Sequence, residues 1–394
     1  MPSQNVNFER TLLSTTSDAN TRDMAMTIFS GMVLESFQTA SVFYDRAGEF
    51  MSIKQLNGAA SAQWPIIGND PFGSYHVPGT FINEQSSMGT NDKRIQMFQK
   101  TITTDEYLVN GLDIPFTDMN VLHFDVIGPF ATKLGRNLAK ILDRKIAILA
   151  TKASLANAVT DVYATGMQIN RTGSATIATA YPPSPSGAYN FRVDLAALAQ
   201  KFDEASIPES GRYMFITPAI KTALRFEPAF YNSISSAGVY GTAVSGVVGT
   251  SVFQAAPSNY TGGSSMSDIS SRVIGNLEGF QFVVTNNLPT TDLSAATGLS
   301  GEDLAVAYSS VTGTTGGKYQ INALGTASNP RPVAVALCSA ATGSPAIGMV
   351  QATGLQTHME DDQRRNTKFL KAQLMCGLDV LCPWSAGSIT VTAS

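Results

Sequence analysis

Apolar residues at Ala25, Ile28, Phe29, Met32, Val33, Phe37 and Ala40 recur at the i, i+3, i+4, i+7 spacing of a helix with one buried face. That pattern predicts a helix over 24–40. The period then changes. Residues 50–56 and 62–67 read as strands parted by an Asn57-Gly58 turn signal, and Asn69-Asp70-Pro71-Phe72-Gly73 marks a second, sharper turn. A polar segment over 83–92 leads to a return strand pair between Arg94 and Ile114. The whole excursion reads as a long hairpin with an aromatic, Pro/Gly-rich tip and few residues for a core of its own. A two-stranded hairpin is marginal in isolation, so the arm is expected to lie on a neighbouring subunit.

Helical spacing returns at Phe130, Leu134, Leu138, Ile141, Ile148 and Leu149 and predicts a long helix reaching about residue 158. Asp125 is the expected N-cap, and Pro129 falls in the first turn, where its missing N–H costs nothing. Residues 160–190, rich in Ala, Ser, Thr, Gly and Pro, read as a loop or crossover and as the best internal boundary. Asp194 is expected to cap a short helix running to 205. Residues 212–217 form a strand that Pro218 ends, and the same proline opens a helix. A further strand over 279–289 closes in a turn. Residues 237–275 and 290–330, rich in Gly, Ser and Thr, read as long surface loops or insertions. Strands follow at 332–338 and 346–351, then a long hairpin over 354–382 turning at 361–366, then a last strand at 388–391. The mixture is that of an α+β chain, with no internal repeat.

Composition adds one unusual number. Charged residues make up 14% of the 394-residue chain, against about 25% in ordinary soluble domains. A monomer must solvate its whole surface, so a charge-poor chain is expected to be covered by other protein subunits. The sequence has no apolar run of about 18 residues and no signal-peptide pattern, which argues against a bilayer as the cover. A net charge of −4 and a pI of about 5.5 argue against a dedicated nucleic-acid binder and are unremarkable for a cytoplasmic protein. Cys338, Cys376 and Cys382 show no C-x-x-C spacing and read as reduced, buried thiols.

Candidate chemistry is thin. Gly313-Thr314-Thr315-Gly316-Gly317-Lys318 approaches a phosphate loop, but Thr312 stands where the first glycine belongs and Tyr319 replaces the magnesium-binding hydroxyl. His76 and His123 are isolated. His358, Glu360, Asp361 and Asp362 gather four metal-type ligands without the spacing of a zinc or EF-hand site, and Arg364 and Arg365 follow at once. This reads as an ion-pairing hairpin tip, with an inter-subunit salt-bridge loop as its functional version. No catalytic, metal or cofactor-binding residue is assigned, and no cofactor is expected. Lys133, Arg136, Lys140 and Arg144 share one face of the long helix, as a solvated stripe or as one that pairs with an acidic partner or a neighbouring subunit. Trp64, Phe72, Tyr75 and Phe81 on the arm are candidate interface anchors.

Three quoted stretches carry a family resemblance: Phe29 to Leu34 (FSGMVL), Ser61 to Gly68 (SAQWPIIG) and Tyr75 to Gly79 (YHVPG). They resemble the major capsid proteins of short-tailed (podovirus, T-seven-like) phages, whose fold is Hong Kong 97-like. The likeness runs over 24–160, 190–230, 275–290 and 332–394. It implies a structural, non-enzymatic subunit that self-assembles as hexamers and pentamers into an icosahedral shell around a double-stranded DNA genome. The implied division is 1–48 N-terminal arm, 49–104 E-loop, 105–189 peripheral domain with a spine helix, 190–345 axial domain with loop insertions, and 346–394 return hairpin and C-terminal strand. Implied partners are a scaffolding protein, a portal protein and packaged DNA bound without sequence specificity, with a decoration or cement protein as a further candidate. The implied location is the virion capsid, assembled in the host cytoplasm. The family carries an Arg-rich stretch where Arg364 and Arg365 stand. The polar stretch before the first helix is too short to be a scaffolding domain. Some members cross-link an arm lysine to a neighbour's asparagine, but Lys54, Lys93 and Lys100 are poorly placed for this, and a shell without covalent links is expected. An encapsulin-like bacterial compartment is the rival within this fold. A β-rich hydrolase with a hidden site is the rival outside it.

Overall fold

The computed structural model describes residues 19–67, 97–117, 127–156, 166–225, 273–295, 298–299, 301–308, 317–338 and 345–393. The first part of the chain contains α1 (Ala19–Ala40), α2 (Ala47–Phe50), β1 (Met51–Gln55), β2 (Ser61–Ile67), β3 (Met97–Thr103), β4 (Glu106–Pro115) and α3 (Ile127–Leu155). Next come β5 (Met167–Thr172), α4 (Ile177–Ala180), α5 (Pro185–Glu204), β6 (Arg212–Ile216), α6 (Pro218–Leu224), β7 (Val273–Leu277) and β8 (Phe280–Val284). The last part holds α7 (Gly301–Ala307), β9 (Arg331–Cys338), β10 (Ile347–Asp362), β11 (Thr367–Val380), a 3-10 turn at Pro383–Ser385 and β12 (Ala386–Thr392).

Two sheets and one strand pair result. The order is β1-β10-β11-β4 in the first sheet and β5-β12-β9-β6-β8-β7 in the second, with β2 paired to β3 alone. Helix α3 packs against strands of both sheets. Its Leu138, Leu142 and Ile146 share a core with Phe29, Val33 and Phe37 of α1, Leu370 and Leu374 of β11, and Val335 and Leu337 of β9. In β11 the buried residues alternate, as a strand with one covered face requires. Phe191, Leu195, Leu198 and Phe202 of α5 form a second core with Met214, Phe280, Phe282 and Ile389 from the six-stranded sheet. The long helix contributes to the first of these cores and, through Ile148, to a small cluster with Leu293, Val306 and Ile321, but not to the second.

The crossing of α1 and α3 depends on one glycine. A Cβ on Gly135 would overlap the Ser36 hydroxyl and the Val33 carbonyl. Only a hydrogen side chain lets the two helix backbones approach this closely.

Several sequence expectations need correction. Strands β1 and β2 do not form a hairpin. Phe50 and Met51 are committed to the main core, so β1 stays in the four-stranded sheet, parallel to β10 with Met51 opposite Ile347. The Asn57-Gly58 turn, with Gly58 at φ +79°, sends the chain out into the arm, whose strands are β2 and β3, with Ser61 opposite Thr103. Asp194 is not a cap. Helix α5 starts nine residues earlier, where Ser184 accepts a hydrogen bond from the Gly187 amide and a proline occupies the first turn. Pro185, read as loop punctuation, opens this helix. The stretch 160–190, read as a loop or crossover, contains strand β5, which pairs with β12 in the six-stranded sheet. The stretch 290–330 holds α7 and the buried Tyr319 and Ile321, so it is packed structure as well as loop. Residues 346–351 and 354–362 fall in one strand, β10, interrupted by register shifts. The long-helix and hairpin expectations agree with α3, β10 and β11; Asp125 lies outside the described residues.

Candidate inter-subunit surfaces

The arm base is built on its own subunit. Trp64 is 6% exposed and packs with Ala62, Ile66, Ile102, Val350, Leu381 and Cys382. Its indole N–H donates to Ser52 Oγ at 2.9 Å, and the Lys54 ammonium lies 4.4 Å from the ring centroid. The alternation of β2 turns Ala62, Trp64 and Ile66 to one side, and that side faces the four-stranded sheet. Trp64, expected to anchor a neighbour, is thus spent inside its own chain, and the arm base does have a small core. Phe72, Tyr75 and Phe81 lie outside the described residues, as do His76, Lys93 and His123.

At the far end of β10 and β11 the chain turns through Asp362 to Asn366, the last at φ 54°. Asp362 accepts from the Arg364 and Arg365 amides at 2.9 and 3.3 Å, which is the side-chain-to-backbone turn that aspartate favours. Asp361 pairs with the buried Lys368 at 3.2 Å. The Arg365 guanidinium is 73% exposed and only 3.8 and 3.9 Å from Asp113 and Asp362. His358 and Glu360 approach to 3.5 Å on the surface. The tip's acids are therefore divided between one buried lysine, a backbone turn and an outward arginine. Among the described residues no group of His, Cys, Asp and Glu is placed to hold a metal ion.

The basic stripe of α3 splits in two. Lys140 meets Glu302 at 2.7 Å and Arg144 meets Asp303 at 2.5 Å, because α7 sets two consecutive carboxylates in its first turn against the helix. Lys133 and Arg136, two turns and one turn before Lys140, are exposed and make no ion pair among the described residues. The glycine-rich phosphate-loop lookalike ends in Lys318, whose ammonium pairs with Asp105 at 3.2 Å, and in a fully buried Tyr319; residues 309–316 lie outside the described residues.

Sequence reasoning missed the two best-held charges. Asp143, fully buried, accepts from the amides of Val42, Phe43 and Tyr44 and from the Asn287 side chain. Burial pushes its carboxyl up to about 6 against the lowering pull of those four donors. Lys145, two residues on, is 2.5 Å from Glu106 with both side chains 1% exposed, and donates to the Tyr308 carbonyl. The available signal was that both charges lie between the apolar positions Leu142 and Ile146. Cys338, Cys376 and Cys382 are buried and free, and burial pushes each thiol up to about 12.

This arrangement of a long helix shared by two sheets, with a strand-pair arm and a long hairpin, recurs in solved shells. The capsid of cyanophage P-SCSP1u matches with a TM-score of 0.60 and 20% identity, covering 90% of this chain and 89% of that one. The chain has the Hong Kong 97-like capsid fold. The mature capsid of bacteriophage PhiM1 matches with a TM-score of 0.58 and 13% identity over 89% and 87% of the two chains. In sequence, 130 residues of this capsid-fold chain are 29% identical to the major capsid protein of Escherichia phage T7, 33% of this chain and 34% of that protein. The minor capsid protein of the same phage is also 29% identical over 130 residues, 29% of its length. The chain's match thus spans about a third of each curated relative. No protein-family model matches it.

Proposed function

We propose that this chain is the major capsid subunit of a short-tailed, double-stranded DNA phage, assembling as hexamers and pentamers into an icosahedral shell. What carries this reading is the capsid fold shared over 90% of the chain with the cyanophage P-SCSP1u shell, together with the T7 capsid likeness in sequence. The low charged fraction of 14% fits a subunit whose surface is covered by copies of itself. The role is structural, with no reaction assigned to any residue. Scaffolding and portal proteins are the proposed assembly partners, packaged DNA is held without sequence recognition, a decoration protein is a further candidate, and the virion capsid is the place. Residues 1–48 serve as the N-terminal arm and 49–104 as the E-loop. The four-stranded sheet with α3 acts as the peripheral domain and the six-stranded sheet as the axial domain. An encapsulin-like compartment is the less favoured reading, because the sequence likeness is to phage capsids.

Within this reading the arm tip (Phe72, Tyr75 and Phe81) and the outward Arg364 and Arg365 contact neighbouring subunits, the arginines near a local threefold axis. Lys133 and Arg136 take an acidic segment of a partner, as Lys140 and Arg144 take Glu302 and Asp303 within the chain. Electron microscopy of the recombinant protein, alone and with its scaffold, tests the whole proposal. Closed shells are the expected result, and a persistent monomer with scaffold present would overturn it. Deleting residues 68–81 should leave a folded subunit that closes no shells.

A further inference from the structure

One carboxylate joins three parts of the chain that are far apart in sequence. Asp143 sits in the middle of α3, at 0% exposure. Its Oδ2 accepts from the Val42 amide at 2.5 Å and from Asn287 Nδ2 at 3.2 Å. Its Oδ1 accepts from the Phe43 and Tyr44 amides at 3.2 and 3.1 Å. Three consecutive backbone donors just past the end of α1 therefore converge on one side chain, and the fourth donor comes from the turn after β8. Those amides follow α1 directly, where no further helical turn supplies them with acceptors. Without Asp143 the buried Val42 and Phe43 amides and the half-buried Tyr44 amide would lose their acceptor.

We propose that Asp143 is a latch that fixes the exit of the N-terminal helix, and so the course of residues 41–46, against the long helix and the six-stranded sheet. The groups facing the carboxylate are all neutral: three main-chain amides and the Asn287 amide, with no charged side chain among its described partners. Among the described residues, the segment's other side-chain hydrogen bonds are local or long. Ser41 donates to the Gln38 carbonyl within its own turn, and the Tyr44 hydroxyl meets Gln351 only at 3.4 Å. The stacking of Phe43 on Phe215, at 4.0 Å between centroids, supplies adhesion but not register. The carboxylate supplies register, because its two oxygens address three successive amides.

Arg46, just beyond the latched amides, is a built-in reporter. Trypsin is added to the soluble full-length subunit at pH 7.5, and fragments ending at Arg46 are measured by mass spectrometry relative to those ending at the exposed Arg364 and Arg365. Asp143→Ala should raise the Arg46 ratio at least tenfold. Asp143→Asn, which keeps one acceptor oxygen, should fall between it and the wild type, a partial rescue that a mere volume effect does not predict. An unchanged ratio in folded Asp143→Ala overturns the proposal. Hydrogen exchange on the wild-type subunit keeps the test decisive if that variant fails to fold. The Val42, Phe43 and Tyr44 amides should then be as protected as the centre of α3, and exchange as fast as that of Asp45 and Arg46 overturns it.

Discussion

The Lys145 ammonium and the Glu106 carboxylate lie 2.5 Å apart, each side chain 1% exposed, tying the middle of the long helix to the start of β4. The lysine also donates to the Tyr308 carbonyl and sits 4.5 Å from the Tyr319 ring centroid. A buried pair of this kind costs much to break and little to replace whole. Lys145→Met alone should therefore lower subunit stability by about 3–5 kcal/mol. The Lys145→Met, Glu106→Leu double variant should recover most of that loss in denaturant unfolding. A double variant as weak as the single would show that the charge is needed for more than its partner.

Gly135 gives a sharper steric test. The Gly135→Val side chain would meet the Val33 carbonyl and the Phe37 amide of α1, which are backbone and cannot turn aside. Overpacking of this kind should cost about 3 kcal/mol or more. Thermal unfolding of the soluble subunit measures it. A change within half a degree would mean that α1 does not cross the long helix this closely.

Asp143 predicts a pH dependence with a definite sign. Its carboxyl, pushed up to about 6 by burial, has a value near 3.9 in an unfolded chain. The fold thus binds this proton more tightly, and the stability it contributes is complete below pH 4 and lost as pH rises through 6. Between pH 4 and 7 the wild type should lose on the order of 3 kcal/mol relative to Asp143→Asn. The difference between the denaturant midpoints of the two proteins should therefore change across that range, the wild type falling as pH rises while the non-titrating Asn variant does not; parallel curves would sink the idea.

Trp64→Ala should weaken the free subunit before any assembly step, because the ring packs within its own chain. The expected loss is about 3–5 kcal/mol, as for other buried aromatics. A variant subunit of unchanged stability that fails only at shell closure would place the tryptophan at an interface instead.

The shell should carry no covalent links between subunits. Lys100 is held by Asp379 at 3.1 Å, Lys54 sits over Trp64, and the three thiols are buried singly. Boiling purified particles in detergent and reductant should give one band near 41.7 kDa. A ladder of multimers would refute this.

Periodicity located α1, the long helix and the C-terminal hairpin, because in each the apolar repeat is set by one covered face of one element; β6 and β8, buried on both faces, were legible instead as short apolar runs closed by Pro218 and by a turn. The strands and the Asn57-Gly58 turn were legible too, but not their partners. Whether β1 joins β2 or β10 depends on where Phe50 and Met51 find a core, and those contacts are made with residues some 300 positions away. The same limit hid the start of α5, where Pro185 looks identical in a loop and in a first turn until Ser184 is seen capping it. Trp64 is likewise ambiguous in one dimension, since an aromatic on an arm can face either subunit. Asp143 and Lys145 were the least legible of all. A charge on a helix reads as solvated unless the structure brings its counterparts, here the amides of 42–44 and Glu106, to a place where water does not reach.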